Sequence, residues 1–164
     1  MILPHEKAKW LSPEKQKWIE SILREWGAWE FHGLDNERQV NIIYRLMKNA
    51  EADRFIENAK KREMCCDDIG LLINGIVQIV TKSKKKETIL LRKYLDAKYM
   101  YSLSERKIAI RMMKNDDAKR CLRHWQDLVT RSLREVELLI ANIFEKELVK
   151  HPKANKLKKY AFKG

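Results

Sequence analysis

Apolar residues recur along this chain at intervals of three and four positions rather than two, the spacing of amphipathic helices. Ser12-Pro13-Glu14 reads as a helix start, with Ser as N-cap, Pro in the first turn and an acid beside it. Trp18, Ile22, Trp26 and Trp29 then follow on one face, a stripe best read as core packing. Gly33 and Leu34 break that run. Asp35 or Asn36 caps a second predicted helix through Val40, Ile43, Met47 and Ala50 to about Lys60. Lys60-Lys61-Arg62 is a basic connector. Cys65-Cys66-Asp67-Asp68 leads into Ile69, Leu72, Ile73, Ile76 and Ile79, a third helix with its acids in the first turn, where the helix dipole favours them. Being apolar nearly all round, it is expected to be the central buried helix. The stretch from Thr81 to Lys86 reads as a loop, and Glu87 to Met100 as a fourth helix with Ile89, Leu90, Tyr94 and Leu95 inward.

The C-terminal half adds a short helix, capped by Ser104 and carrying Ile108, Ala109 and Met112. Lys114-Asn115-Asp116-Asp117 forms a turn and a cap. A long helix follows, with Ala118, Leu122, Trp125, Val129, Leu133, Val136, Ile140 and Ile143 at near-heptad spacing, which suits an interhelical seam or a dimer contact. Lys153 to Gly164 reads as a flexible lysine-rich tail. The three prolines, Pro4, Pro13 and Pro152, lie near the two ends, so nothing breaks the helices between them. The expected fold is all-α, divided into an N-terminal helical segment (1–64), a helical core (65–150) and the basic tail (151–164).

Composition changes the picture in one respect. With 164 residues and 45% apolar content the chain supports a real core, but its formal net charge of +12 asks for a polyanionic partner: DNA, RNA or an anionic membrane surface. A membrane-spanning segment is not indicated, because the longest apolar stretch, Ile69 to Val80, is short and interrupted by Gly70, Asn74, Gly75 and Gln78. Met1 to Trp10 lacks the apolar region of a secretory signal. A soluble intracellular protein is therefore expected.

No catalytic, metal or cofactor chemistry is implied. Cys65, Cys66 and Cys121 are odd in number, no CxxC or GxxxxGK occurs, and His5, His32, His124 and His151 are scattered. Cys65-Cys66-Asp67-Asp68 could suggest a thiol nucleophile or a carboxylate metal site, but no His lies nearby in sequence to act as base. Adjacent helical residues also point in different directions. Buried cysteines with helix-capping acids is the better account.

Residues 89 to about 135 have the layout of a helix-turn-helix: a support helix, a short scaffold helix (Ser104 to Met113), a tight turn and a recognition helix starting near Asp116. Ala109 is small where the two helices must cross. The recognition helix would present Asp117, Lys119, Arg120, Arg123 and His124, and Arg or Lys near its start can read guanine edges in the major groove. Ser104, Arg106, Lys107, Arg111 and Lys114 surround the turn and suit phosphate contacts. The bland alternative is an ordinary packed helix pair with a solvated basic face.

Three segments taken together resemble the Q antitermination proteins of lambdoid phages, specifically the small subfamily without a zinc motif. They are Leu23-Arg24-Glu25-Trp26-Gly27-Ala28-Trp29; Cys65-Cys66-Asp67-Asp68-Ile69-Gly70-Leu71-Leu72-Ile73-Asn74-Gly75; and Leu90-Leu91, Tyr94 and Ser104-Glu105-Arg106-Lys107-Ile108-Ala109. They extend from about Leu23 to Leu133. The helix-turn-helix portion also looks like region 4 of sigma factors. The resemblance implies a late-gene regulator in the cytoplasm of the host bacterium. It would bind a double-stranded DNA element near the late promoter and load onto paused RNA polymerase holoenzyme with sigma. It would then suppress termination by narrowing the RNA exit channel, where nascent RNA is a further partner. An element with two half-sites would hold two copies side by side. By this resemblance Arg106, Lys107, Lys119, Arg120 and Arg123 become the candidates for contacting the DNA element, joined by Ser104 and Lys114 from the layout of the turn, and Cys65 to Asp68 is carried over as a signature only. The competing readings are a sigma-like helix-turn-helix repressor or activator without antitermination activity, and an interaction protein using the long helix as a coiled-coil seam.

Overall fold

Ser12, in extended backbone, accepts a hydrogen bond from the Lys15 N–H at 3.3 Å and starts the first helix as its sequence requires. In the computed structural model, which describes residues 10–33, 62–82 and 86–164, that helix is α1 (Pro13–His32). The helix predicted from Asp35 or Asn36 to about Lys60 lies outside the described residues. Four α-helices follow: α2 (Asp67–Val80), α3 (Lys86–Leu95), α4 (Glu105–Lys114) and α5 (Leu122–Lys150). A π-helical turn (Asp96–Met100) continues α3, and a 3₁₀ helix (Ala154–Tyr160) follows α5. No described residue is in a strand, so the fold is all-α as expected. No helix among the described residues is long and apolar enough to cross a membrane.

The long helix α5 organises the core. Trp125, Val129, Leu133, Val136, Ile140, Ala141, Phe144 and Leu148 are buried on it, and α1, α2, α3, α4 and the 3₁₀ helix all pack against it. The near-heptad stripe is thus covered within the chain, which leaves those residues no dimer seam to form.

Three further expectations are corrected. The helix α2 is not buried all round: Ile69, Ile73, Ile76 and Val77 face the core, while Leu71 and Ile79 are 64% and 69% exposed. The fourth helix is not regular to Met100, because its last turn widens so that the Tyr101 N–H reaches the Asp96 carbonyl at 3.0 Å. The C-terminal segment is docked rather than flexible. Leu157 and Tyr160 are buried, the Trp18 indole donates to the Tyr160 carbonyl at 2.8 Å, and the Trp18 and Phe162 rings lie 5.5 Å apart. The three-residue spacing of Leu157 and Tyr160 is what a 3₁₀ helix places on one side.

Glycine positions carry different constraints. A Cβ on Gly75 would meet nothing within 4 Å, so Gly75→Ala is expected to stabilise the protein by about 0.5–1 kcal/mol. A rise in the urea midpoint at constant slope would show this; a fall would mean that side of α2 is occupied.

Candidate nucleic-acid interface

The helix α4 begins at Ser104, whose hydroxyl oxygen accepts the Lys107 N–H at 3.2 Å, with Glu105 in the first turn. Ile108 and Ala109 are buried on the side that packs against α5, and the absent bulk at Ala109 lets the two helices approach. Asn115 closes α4 by donating its amide to the Arg111 carbonyl at 3.1 Å.

The turn between the two helices is built on Asp116. One carboxylate oxygen accepts the Ala118 N–H at 3.1 Å and Arg120 Nη2 at 3.2 Å. The other accepts the Arg120 N–H, Arg120 Nε and the Trp125 indole N–H, each at 3.0 Å. Hydrogen bonds from Arg120 hold this carboxyl well below the usual carboxylate range. Lys119 takes a left-handed backbone (φ 53°) to close the turn.

The helix expected to begin near Asp116 accordingly starts at Leu122. An aspartate before an apolar run can cap a helix or fold the backbone onto itself, and here the second use wins because the guanidinium and the indole join it. Lys119 and Arg120 therefore lie in the turn, Ala118 is exposed rather than part of the apolar face, and Arg123 alone of the later candidates stands in the first turn of α5.

All seven candidates are exposed. They fall into two groups: Ser104, Arg106 and Lys107 at the start of α4, and Lys114, Lys119, Arg120 and Arg123 about the turn. Lys107 and Lys114 share a face of α4, about 10 Å apart along its axis. Arg131 and Arg134, also exposed, continue the Arg123 side of α5. They were not among the candidates, although helical spacing opposite Val129 and Leu133 marks them.

A buried polar network fixes this helix pair to the body. Glu137, on α5, is fully buried and accepts the Tyr99 hydroxyl at 2.6 Å, Lys98 Nζ at 3.0 Å and the Gln16 amide. Lys98 also lies 3.5 Å from Glu20 and 3.8 Å from Glu105, the first residue of α4. Burial, reinforced by Glu137, pushes the Tyr99 hydroxyl pKa well up, so it remains a donor. Arg62 closes the other side by donating to the Arg24 carbonyl on α1 and to the Tyr99 and Met100 carbonyls at the end of the π turn.

The two sequence signatures meet in space. The Trp29 indole donates to Asp67 at 2.9 Å, its ring covers Gly70, the Cys66 N–H reaches the Tyr160 hydroxyl at 3.4 Å, and Asp68 pairs with Lys153 at 3.2 Å. The Cys65 to Asp68 segment thus joins α1, α2 and the C-terminal segment. Cys65 is buried, and burial first, then the neighbouring Cys66 and Glu25, push its thiol up to about 12. Brief treatment of the folded protein with iodoacetamide is expected to label the exposed Cys66 and Cys121 and spare Cys65. Equal labelling of all three in a peptide map would mean this junction opens readily.

The described chain is thus a helical protein with an exposed basic helix pair clamped to its core. Residues 16–138 match the family described as phage antitermination protein Q, and the chain belongs to that family. Three solved structures are similar to it. Transcription antitermination factor Q21 as a selenomethionine derivative has a TM-score of 0.66 at 24% identity, covering 90% of this chain and 98% of that one. Q21 in complex with Q21-binding-element DNA has a TM-score of 0.60 at 22% identity, covering 92% and 97%. The Q protein of bacteriophage 21 has a TM-score of 0.60 at 24% identity, covering 91% and 97%. No curated protein matches the chain.

Proposed function

We propose that this protein is a phage late-gene antitermination factor that binds a double-stranded DNA element through α4, the Asp116 turn and the start of α5, used as a helix-turn-helix of the sigma region 4 kind. The observation that carries the reading is the family match, which runs from within α1 to within α5. The net charge of +12, the exposed cations about the turn and the likeness to a Q21 structure described with its binding-element DNA support it. Ser104, Arg106, Lys107 and Lys114 take the phosphates. Lys119, Arg120 and Arg123 stand where base edges come into reach. The unit that does this is the 89–135 portion of the helical core.

In the same reading the bound protein loads onto RNA polymerase holoenzyme, held with sigma at a promoter-proximal pause, in the host cytoplasm. It then narrows the RNA exit channel so that terminator hairpins cannot form there. Two copies lie side by side where the element has two half-sites. No catalytic step, metal or cofactor enters.

The test is terminator read-through with purified holoenzyme on a template carrying the late promoter region and on one with the upstream element scrambled. Read-through on the first template alone is the expected result. A footprint without read-through would reduce the protein to a helix-turn-helix repressor or activator, and neither signal would overturn the DNA-binding reading as well. Binding should weaken steeply with salt, since each phosphate neutralised by a Lys or Arg releases about one condensed counterion.

A further inference from the structure

An arginine free in solution samples many rotamers, and ordering it on binding costs affinity. Arg120 does not need to be ordered. Its Nε and Nη2 lie against the two oxygens of Asp116 at 3.0 and 3.2 Å, a side-on bidentate pair. Its guanidinium carbon stands 5.0 Å from the centroid of the Trp125 ring. The same Trp125 donates its indole N–H to Asp116, and its ring is 6% exposed, so the ring that stacks on the guanidinium is itself fixed in the core. The Arg120 side chain remains 49% exposed.

The chemistry of the remaining edge is specific. With one long edge of the guanidinium committed to the carboxylate, the hydrogens still free belong to Nη1 and the outer side of Nη2. That end-on fork matches the O6 and N7 acceptors of guanine, which lie side by side in the major groove. A phosphate can also take an arginine fork, but a positioning contact gains little from a guanidinium held in one plane by a carboxylate and an aromatic ring. The carboxylate also lowers the net charge offered to the backbone.

Resting on the DNA-binding reading above, we infer that Arg120 reads one guanine in the bound element, with Asp116 and Trp125 as the positioning residues that aim its fork. Lys119 and Arg123 then flank a sequence-reading centre, while Ser104, Arg106, Lys107 and Lys114 set register on the backbone.

The experiment uses the full chain. A duplex is selected from a randomised library with the wild-type protein, and affinities are measured by fluorescence anisotropy for that duplex and for variants with each base pair changed in turn. Wild type is expected to lose about 5- to 150-fold at one G·C pair that Arg120→Ala no longer distinguishes. Arg120→Lys, which keeps the charge but not the fork, should lose the same discrimination while the salt slope stays that of the wild type. Asp116→Asn retains the arginine but loosens its hold and should weaken discrimination at that pair and at no other. A uniform loss across all sequences, with a shallower salt slope for Arg120→Ala, would make Arg120 a phosphate contact and overturn the inference while leaving the DNA-binding reading intact. Discrimination that falls equally at every pair in Asp116→Asn would make Asp116 a general support of the turn and overturn its aiming role. Because Arg120 is exposed, its two variants decide the matter even if Asp116→Asn folds poorly. Failure of the wild type to select any sequence would overturn both readings together.

Discussion

Glu137→Ala is expected to lower the unfolding free energy by about 3–5 kcal/mol, read from urea denaturation followed by helical circular dichroism. The carboxylate is fully buried and meets three donors from two elements: Gln16 on α1, and Lys98 and Tyr99 on the π turn. Removing it leaves the Tyr99 hydroxyl without its acceptor and the Lys98 ammonium, 13% exposed, with only the more distant Glu20 and Glu105. Truncation to Ala also opens a void beside them. Glu137→Gln keeps the volume and one acceptor oxygen but turns an amide donor toward other donors, so a smaller loss of about 1–3 kcal/mol is expected. A double-mutant cycle with Tyr99→Phe separates the hydroxyl's share, since residues in one network do not add. A loss below about 1 kcal/mol for Glu137→Ala would mean that the pairs only offset their own desolvation and hold nothing. The consequence reaches function through Lys98. Its contact with Glu105 ties the first turn of α4 to the same carboxylate, so a loosened network should disturb how α4 and α5 are presented before it unfolds the chain.

What the sequence could and could not reveal follows from which interactions are local. The N-caps Ser12 and Ser104 were readable because a cap is decided within four residues, and both accept the third N–H as expected. The buried stripe of α5 was readable from Trp125 to Ile140 because its spacing is helical whatever it packs against. Asp116 was readable as a turn residue but not as the centre of the turn, since its extra partners, the Arg120 guanidinium and the Trp125 indole, compete with ordinary capping through side-chain geometry that no periodicity encodes. That competition sets the start of α5 at Leu122 and leaves Lys119 and Arg120 in the turn before it. Glu137 was invisible for a different reason: an acid beside an apolar stripe is normally a solvated flank, and only the arrival of Tyr99 and Lys98 from a distant π turn buries it. The exposed cations were legible as a set. The sequence could not show that they separate into one group at the start of α4 and another about the turn, because that depends on where the turn closes.

Gly27→Ala is the second large effect expected, and it tests the close approach that holds the π turn in place. A Cβ at this position would stand 2.0 Å from the Tyr99 carbonyl oxygen, 2.3 Å from its carbon and 2.9 Å from the Met100 nitrogen. All three are backbone atoms, so no rotamer change relieves the clash. Alanine favours the helical state over glycine by about 1 kcal/mol, so the steric cost must exceed that before any loss appears. With no side chain able to yield, the overpacking should reach the upper end of its usual range of about 1–3 kcal/mol, giving a net loss of about 2 kcal/mol. The sign should therefore be opposite to that of Gly75→Ala, where the same substitution meets open space. The Tyr99 carbonyl that Gly27 admits is also one that Arg62 binds, and the side chain of the same Tyr99 donates to Glu137. Pushing the π turn off α1 thus strains the Arg62 hydrogen bonds and the Glu137 network at once, and the loss in Gly27→Ala should be less than additive with that in Glu137→Ala. Full additivity of the two would show that the close packing at Gly27 and the buried carboxylate hold α1 and α5 to the π turn independently.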